Sequence, residues 1–212
     1  GTVSVVSIPD RAPSPRRTSG GAKPQARRGM MQILLVSLGL GVAAATFVAI
    51  LWSVAFPAHR LWPPKRYTTM TPVLVWVPTF TLFGVLLVLG VMEWNSLAVP
   101  AWIRFGLGVP LIVAGNIVVW SEVSHFGIPQ TGGAKGSLRT EGMYRYSRNP
   151  QYVADIAIVG GWIILSASGS VAVVGLAGIA ILIAAPFAEE PWFKAQYGSA
   201  FQNYMHKVRR FL

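Results

Sequence analysis

The chain has 212 residues, of which 53% are hydrophobic and only 12% are charged. Soluble domains carry about 25% charged residues, so the composition excludes an ordinary soluble domain. The 18 Lys and Arg give a net charge of +11, but all of them except Arg104 lie outside the apolar runs. This distribution favours anionic lipid headgroups as partners over nucleic acid. The absence of cysteine excludes disulfides, thiolate metal sites and thiol catalysis.

The chain begins with a polar segment and continues as a series of apolar runs. Residues 1–29 are rich in Pro, Gly, Ser and Arg and are predicted to be a disordered tail. Runs near the bilayer-spanning length of about 20 residues follow. They lie at 30–56, 71–93, 99–122, 150–166 and 171–188. The predicted fold class is therefore all-α, a polytopic membrane protein with about five transmembrane helices, the first three of them within residues 30–128.

The last two spans are separated only by the sequence SASGS, residues 166–170, which predicts a tight helical hairpin. Such a hairpin brings its two outer ends together. Glu189 and Glu190 at the end of the fifth span should therefore meet the polar sequence GMYRYSRNPQYV, residues 142–153, at the start of the fourth. Within it, Asn149 suits a helix N-cap and Pro150 suits the first helical position.

Basic residues predict the orientation in the membrane. The loop 57–70, the loop 123–149 and the tail 189–212 share one face and hold 11 Lys and Arg, whereas six lie in the N-terminal tail. The positive-inside rule puts the face with 11 in the cytosol. Tryptophans near the span ends are predicted interface anchors. They are Trp52, Trp62, Trp94 and Trp102.

The C-terminal segment shows an apolar stripe at helical spacing. It predicts an amphipathic helix at the membrane interface, which can also cover a site. The stripe consists of Phe193, Tyr197, Phe201, Tyr204, Val208 and Phe211.

The meeting point of these segments predicts a pocket with cationic, anionic and aromatic walls. S-adenosylmethionine fits such a pocket, because its carboxylate suits an arginine, its ammonium and hydroxyls suit carboxylates, and its sulfonium is drawn to aromatic faces. No metal site is expected. Glu122 and His125 have an E-x-x-H spacing, but a single such motif favours a polar helix end over a metal site.

Residues 130–212 resemble the integral-membrane methyltransferases, which include isoprenylcysteine carboxyl methyltransferases and phosphatidylethanolamine methyltransferases. The resemblance rests on the order and spacing of several motifs. These are Gly142-Met143-Tyr144, Arg148-Asn149-Pro150-Gln151-Tyr152, the pair Glu189-Glu190, Gly198 through Phe201 to Tyr204, and Val208-Arg209-Arg210-Phe211. The resemblance implies a cofactor-binding catalytic region over residues 129–212, with S-adenosylmethionine entering from the cytosol and the acceptor arriving through the membrane.

Carried over by position, the resemblance implies a set of cofactor-binding residues. They are Gln130 (with a one-residue gap), Leu138, Arg139, Tyr144, Arg148, Asn149, Pro150, Gln151, Tyr152, Glu189 and Tyr204. If the acceptor is an amine, it must lose a proton first, and Glu190 or Asp155 is the predicted catalytic base.

Two departures from the carboxyl methyltransferases bear on the acceptor. Asn149 stands where those enzymes have His, and residues 184–188 hold no arginine for a substrate carboxylate. Methylation of a lipid amine is therefore favoured over carboxyl O-methylation of an isoprenylcysteine-like substrate. A lipid-binding membrane protein of the same fold without turnover is the non-enzymatic alternative.

Overall fold

The computed structural model describes Gly1, residues 22–131 and residues 136–212, with the side chains of residues 22–23 and 125–131 left out. The described residues are predominantly helical and contain no strand. Two 3₁₀ turns, Pro57–His59 and Gly142–Arg145, and a π-helical turn, Arg104–Gly108, accompany the α-helices. The α-helices are α1 (Ala22–Ala55), α2 (Thr71–Met92), α3 (Ala101–Ile103), α4 (Val109–Thr131), α5 (Pro150–Ser166), α6 (Gly169–Tyr197) and α7 (Ser199–Lys207).

Within the described residues, four helical segments are long and apolar enough to cross a membrane. They are Pro24–Ala55, Thr71–Met92, Ala101–Ser124 and Gly169–Tyr197. Helix α5 is also apolar but has only 17 residues. The prediction of an all-α polytopic membrane protein is confirmed, and the chain is an integral membrane protein.

Helix α1 differs from its predicted bounds. It begins at Ala22, eight residues before the expected start, so the part of the predicted tail from residue 22 to residue 29 is helical. Pro24 is compatible with the first turn of a helix, and Ala and Arg favour helix after it. The rest of the predicted disordered tail, residues 2–21, lies outside the described residues. The predicted division of the chain at residue 129 stays a prediction.

Helices α1, α2, α5 and α6 share one apolar core. Its fully buried centre consists of Val85, Leu86, Leu89, Val159, Val171 and Val174. Gly39 lets α1 approach α6, because an added Cβ there would lie 2.8 Å from Val174 Cγ1. Small residues in membrane helices allow this kind of close packing.

Helix α4 packs on α5 through a contact that glycine makes possible. A Cβ added at Gly108 would lie 2.9 Å from the carbonyl oxygen of Gly161, and one added at Gly115 would lie 2.6 Å from that of Ala154. Such distances leave no room for a side chain between the two backbones. Glu122 follows Gly115 by seven residues, as Gly115 follows Gly108, so the three positions lie on the same face of the helix. Glu122 therefore lies on the face that packs on α5, level with the residues that precede Pro150.

The predicted hairpin is confirmed, since α5 ends at Ser166 and α6 begins at Gly169. The Glu93 side chain fixes the start of α6. Its carboxylate accepts hydrogen bonds of 2.6 Å from both Ser168 Oγ and Ser170 Oγ, and one of 3.2 Å from Ser170 N. We refer to residues 93–100 and 166–170 as the turn end. The opposite end, with Glu122 and residues 57–70, 136–152 and 189–212, is the site end.

Candidate active site

The two outer ends of the α5–α6 hairpin meet at Glu189. Tyr152 Oη, on the first turns of α5, donates a hydrogen bond of 2.5 Å to Glu189 Oε1. Trp62 Nε1, from the loop between α1 and α2, donates to the same oxygen at 2.7 Å. The predicted meeting of the polar segment with the glutamate pair is therefore confirmed. Glu189 is only 8% exposed, so these two donors stabilise a carboxylate that is largely removed from water.

The neighbouring carboxylate, Glu190, is held by two arginines. Arg148 Nη2 lies 3.0 Å from Glu190 Oε1. Arg210 binds in a bidentate manner, with Nε 2.8 Å from Oε1 and Nη2 2.8 Å from Oε2. The hydrogen bonds to Glu190 raise the pKa of Arg210 against the effect of partial burial. The Arg210 guanidinium also lies 3.8 Å from the centre of the Phe187 ring, a cation–π contact.

The last residues of the chain are bound to the start of α5 through their backbone. Arg148 N donates to the carbonyl oxygen of Arg209 at 2.9 Å, and Asn149 Nδ2 donates to that of Arg210 at 2.9 Å. Asn149 occupies the N-cap position of α5, as predicted, but its side chain makes no cap hydrogen bond. Pro150 does occupy the first helical position, as predicted.

The C-terminal segment is not one helix. Gly198 has φ +56° and ψ −132°, and this backbone conformation, which favours glycine, separates α6 from α7. Helix α7 ends at Lys207, so Val208 and Phe211 lie outside it. The aromatic stripe persists across the break, because Phe193 and Phe201 have ring centres 5.4 Å apart.

Tyr204 connects α7 to the turn Gly142–Arg145. Its hydroxyl donates a hydrogen bond of 2.6 Å to the carbonyl oxygen of Tyr144. Burial raises the pKa of Tyr204 to about 12 against the opposing charge of Arg148, so this hydroxyl remains a donor at neutral pH. Both residues were predicted from the motifs, and both lie at the site end.

The structure also locates the other predicted residues. Leu138 and Gln151 are half-buried at the site end, and Asp155 lies one turn beyond Tyr152, three residues along α5. Arg139 forms an ion pair of 3.7 Å with Glu122. The side chain of Gln130 lies outside the described residues.

Three residues of the site end were not predicted to belong to the site. Trp62 was expected to be an interface anchor, Glu122 a polar helix end, and Arg210 had no assigned role. Glu122 is 4% exposed and contributes to the surroundings of Tyr144. Burial raises the pKa of Tyr144, and the negative charges of Glu122 and Glu189 raise it further against the charge of Arg139. The run WPPKR around Trp62 gives no local signal of these contacts.

The arrangement combines carboxylates, guanidinium groups and aromatic rings at one end of the helix bundle. Two donor atoms of Arg148, Nε and Nη1, are buried and have no hydrogen-bond partner among the described residues. In that part of the chain, no group of three His, Asp or Glu side chains is placed to hold a metal ion. Buried donors without partners are a feature of sites that receive a polar ligand.

Comparison with known families gives one match. Residues 103–200 match the family model described as Phospholipid methyltransferase, abbreviated PEMT. The matched region is slightly less than half of the chain and contains α4, α5 and α6, including Glu189 and Glu190. No curated protein and no solved structure matches the chain. The family match confirms the predicted resemblance to the integral-membrane methyltransferases and supports a membrane methyltransferase that acts on lipid.

Proposed function

We propose that the protein transfers a methyl group from S-adenosylmethionine to a lipophilic acceptor at the membrane surface, with a lipid amine favoured as the acceptor. The observation that carries this proposal is the meeting of Tyr152 with Glu189, and of Arg148 with Glu190, across the α5–α6 hairpin. All four residues lie within the region that matches the family model.

The described residues fit the chemistry of the cofactor. Arg148 has two buried donor atoms without a partner among them, which suits the carboxylate of an amino acid. Glu189 offers a negative charge, and Tyr152 offers an aromatic face beside it. From the resemblance, we assign the remaining cofactor contacts to the following residues: Gln130, Leu138, Arg139, Tyr144, Asn149, Pro150, Gln151 and Tyr204.

S-adenosylmethionine supplies an electrophilic methyl group when it is bound. The protein's own task is to hold the acceptor in line with that group and to exclude water. An ammonium acceptor must first lose its proton, so that its nitrogen can form the new C–N bond as the C–S bond breaks.

Two residues are proposed as the proton acceptor, and their surroundings differ. Both oxygens of Glu190 are bound by guanidinium groups, which favours its charged form and a role in holding Arg148 and Arg210. Asp155 has no hydrogen bond or ion pair within the described part of the chain. Asp155 therefore fits proton acceptance better, and Glu190 remains the second choice.

The site end faces the cytosol in this proposal, because the loops 57–70 and 123–149 and the tail 189–212 hold 11 of the 18 Lys and Arg. These basic residues would also attract anionic lipid headgroups. Carboxyl O-methylation is the second candidate function. It is disfavoured because a substrate carboxylate needs a cationic partner. Arg210, in the C-terminal segment, already binds Glu190, with Nη2 2.8 Å from Oε2.

The decisive experiment is transfer of a labelled methyl group from S-adenosylmethionine into a lipid extract, followed by identification of the labelled product. We expect a methylated lipid amine. Replacing both Asp155 and Glu190 with their amides should abolish amine methylation, and full retained activity would remove the assignment of the base.

The non-enzymatic alternative is tested by calorimetric titration with S-adenosylhomocysteine. The enzyme should bind it, and Glu189→Gln should weaken the binding. A lipid-binding protein without turnover would show no binding and no effect of the substitution.

A further inference from the structure

Glu122 is a buried carboxylate that the proposed function does not yet use. It lies on α4, where nearby outward-facing side chains are strongly exposed: Ile117 and Trp120 are both 65% exposed, as expected for residues that face lipid. Glu122 itself is 4% exposed. A carboxylate held at the end of a membrane span and hidden from solvent points to a functional site.

The bonding of Glu122 is incomplete. Its Oε2 atom is buried and has no hydrogen-bond partner among the described residues. The same oxygen lies 3.7 Å from Arg139 Nη1, which is the one ion pair of Glu122 in that part of the chain, and the Arg139 side chain is 34% exposed. A buried carboxylate that has only this long ion pair at Oε2 is stabilised when a cation binds closer to it.

The surroundings of Glu122 carry an excess of negative charge. Tyr144 lies under the influence of Glu122 and Glu189 together, so carboxylates from two different spans approach one turn of the chain. Arg148 and Arg210 do not compensate these charges, because both are bound to Glu190.

We infer that Glu122 binds the primary ammonium group of the acceptor lipid and selects it over acceptors with an uncharged headgroup. The inference rests on the proposed function, because it names the group that the same site would recognise. In the absence of acceptor, Arg139 is the cation that faces this carboxylate.

An ammonium group is present in both the acceptor and the amino acid part of the cofactor, and the position of Glu122 favours the acceptor. Most of the residues assigned to the cofactor lie between Leu138 and Tyr152, and the others are Gln130 near the end of α4, Glu189 on α6 and Tyr204 on α7. Glu122 lies on α4, which packs on the other side of α5 and presents its outer face to lipid. An acceptor that arrives from the membrane reaches this side first.

The test measures headgroup preference and cofactor affinity separately, on the full chain in lipid nanodiscs. The probes are dihexanoylphosphatidylethanolamine, dihexanoylphosphatidylglycerol and S-adenosylhomocysteine, each titrated by calorimetry. The unaltered protein should prefer the amine lipid over the glycerol lipid by about tenfold, the size expected of one charge-assisted hydrogen bond. Glu122→Gln should abolish this preference and leave the affinity for S-adenosylhomocysteine unchanged within about twofold.

Two further variants serve as controls. Glu122→Asp keeps the charge and should keep part of the preference. Glu141→Gln makes the same chemical change at an exposed position on the site end and should keep all of it. In turnover, Glu122→Gln should raise KM for the amine lipid much more than it lowers kcat.

Three results would overturn the inference. An unchanged preference in Glu122→Gln would show that Glu122 does not select the headgroup. A loss of S-adenosylhomocysteine affinity with the preference intact would assign Glu122 to the cofactor. If S-adenosylhomocysteine does not bind to the unaltered protein at all, the proposed function fails and this inference falls with it.

Discussion

The two ends of the α5–α6 hairpin both contain carboxylates, but the carboxylates are bonded differently. Glu122, Glu189 and Glu190 at the site end are buried. Glu93 at the turn end is only partly buried. At the turn end, both oxygens of Glu93 accept hydrogen bonds from serines. At the site end, Glu189 and Glu190 are bonded by groups from distant segments, whereas Glu122 Oε2 has no hydrogen-bond partner among the described residues and only the 3.7 Å ion pair with Arg139. Asn95 Oδ1 at the turn end and Arg104 Nη2 near it also lack hydrogen-bond partners within the described part of the chain, but both oxygens of Glu93 are bonded.

This difference separates a structural contact from a binding site. A buried polar network in which every member is satisfied makes a structure more rigid, whereas unsatisfied members are places where a ligand can bind. Substitutions at the turn end should therefore change stability alone. Substitutions of the residues bonded to the predicted cofactor-binding groups at the site end, such as Glu190 and Tyr204, should change stability and S-adenosylhomocysteine affinity together.

The largest loss of stability is expected for Glu190→Gln. This change removes the negative charge between Arg148 and Arg210, whose side chains are 9% and 29% exposed. Loss of one partner from a buried ion pair costs about 3–5 kcal/mol. Thermal unfolding in detergent should show a large decrease in Tm, and S-adenosylhomocysteine affinity should fall as well. Glu141→Gln is the matched control, and equal behaviour of the two variants would contradict the prediction.

The second largest loss of stability is expected at the glycine contact between α4 and α5. Gly161→Ala places a Cβ 2.8 Å from the carbonyl oxygen of Gly108, and overpacking of this kind costs about 1–3 kcal/mol. Gly160→Ala, one residue earlier, meets nothing within 4 Å and should be neutral or slightly stabilising. Thermal unfolding measures both variants. If α4 carries a site residue, Gly161→Ala should also weaken the binding of an amine lipid, whereas Gly160→Ala should not.

At the turn end, Glu93→Gln should lower stability by about 1–2 kcal/mol, because the amide oxygen cannot accept all the hydrogen bonds of the carboxylate. Its affinity for S-adenosylhomocysteine should be unchanged. A loss of that affinity would show that the two ends are coupled, and the comparison between them would fail.

The pH dependence of stability sharpens the same comparison. Burial raises the pKa of Glu93, but the hydrogen bonds from Ser168 and Ser170 bring it below its ordinary value of 4.5. A carboxyl whose pKa is lower in the folded state stabilises the protein above the pKa of the unfolded state. This stability is lost as pH falls below 4.5 and through the lower pKa of the folded state. Unfolding of the unaltered protein and of Glu93→Gln should therefore converge as the medium is acidified over this range.

The smallest loss of stability is expected for Tyr204→Phe. The change removes one hydrogen bond of 2.6 Å, between the Tyr204 hydroxyl and the carbonyl oxygen of Tyr144, at a cost of about 1 kcal/mol. S-adenosylhomocysteine affinity should fall a few-fold, because Tyr144 is held less firmly. Tyr146→Phe is the control, since Tyr146 is 66% exposed. The same loss of affinity in both variants would contradict the assignment.

The sequence predicts the helices well because hydrophobicity and length define a membrane span. The short link of SASGS was sufficient to predict that Tyr152 and Glu189 meet, since a hairpin turn leaves few alternatives. Local reasoning failed where a distant contact competed with a local one. Asn149 occupies the predicted N-cap position of α5, but its side chain makes no cap hydrogen bond and donates through Nδ2 to the carbonyl oxygen of Arg210.

Other contacts could not be predicted because they depend on how separate spans pack. Trp62 reaches Glu189 across 127 positions of sequence, and no pattern around either residue specifies that pairing. The same holds for Glu122, whose burial follows from the glycine contact between α4 and α5. The stripe of aromatic residues was predicted, but the break at Gly198 within it was not.

The length of α5 has a consequence for the surrounding lipid. Its 17 residues extend about 25 Å, which is less than the hydrocarbon thickness of about 30 Å in a typical bilayer. Pro150, its first residue, and Asn149 before it therefore lie closer to the bilayer centre than the first residue of a full-length span would. Acyl chains beside α5 must shorten or tilt to match it. Thin bilayers should suit the protein better than thick ones, and its activity should follow the acyl-chain length of the membrane in which it is reconstituted.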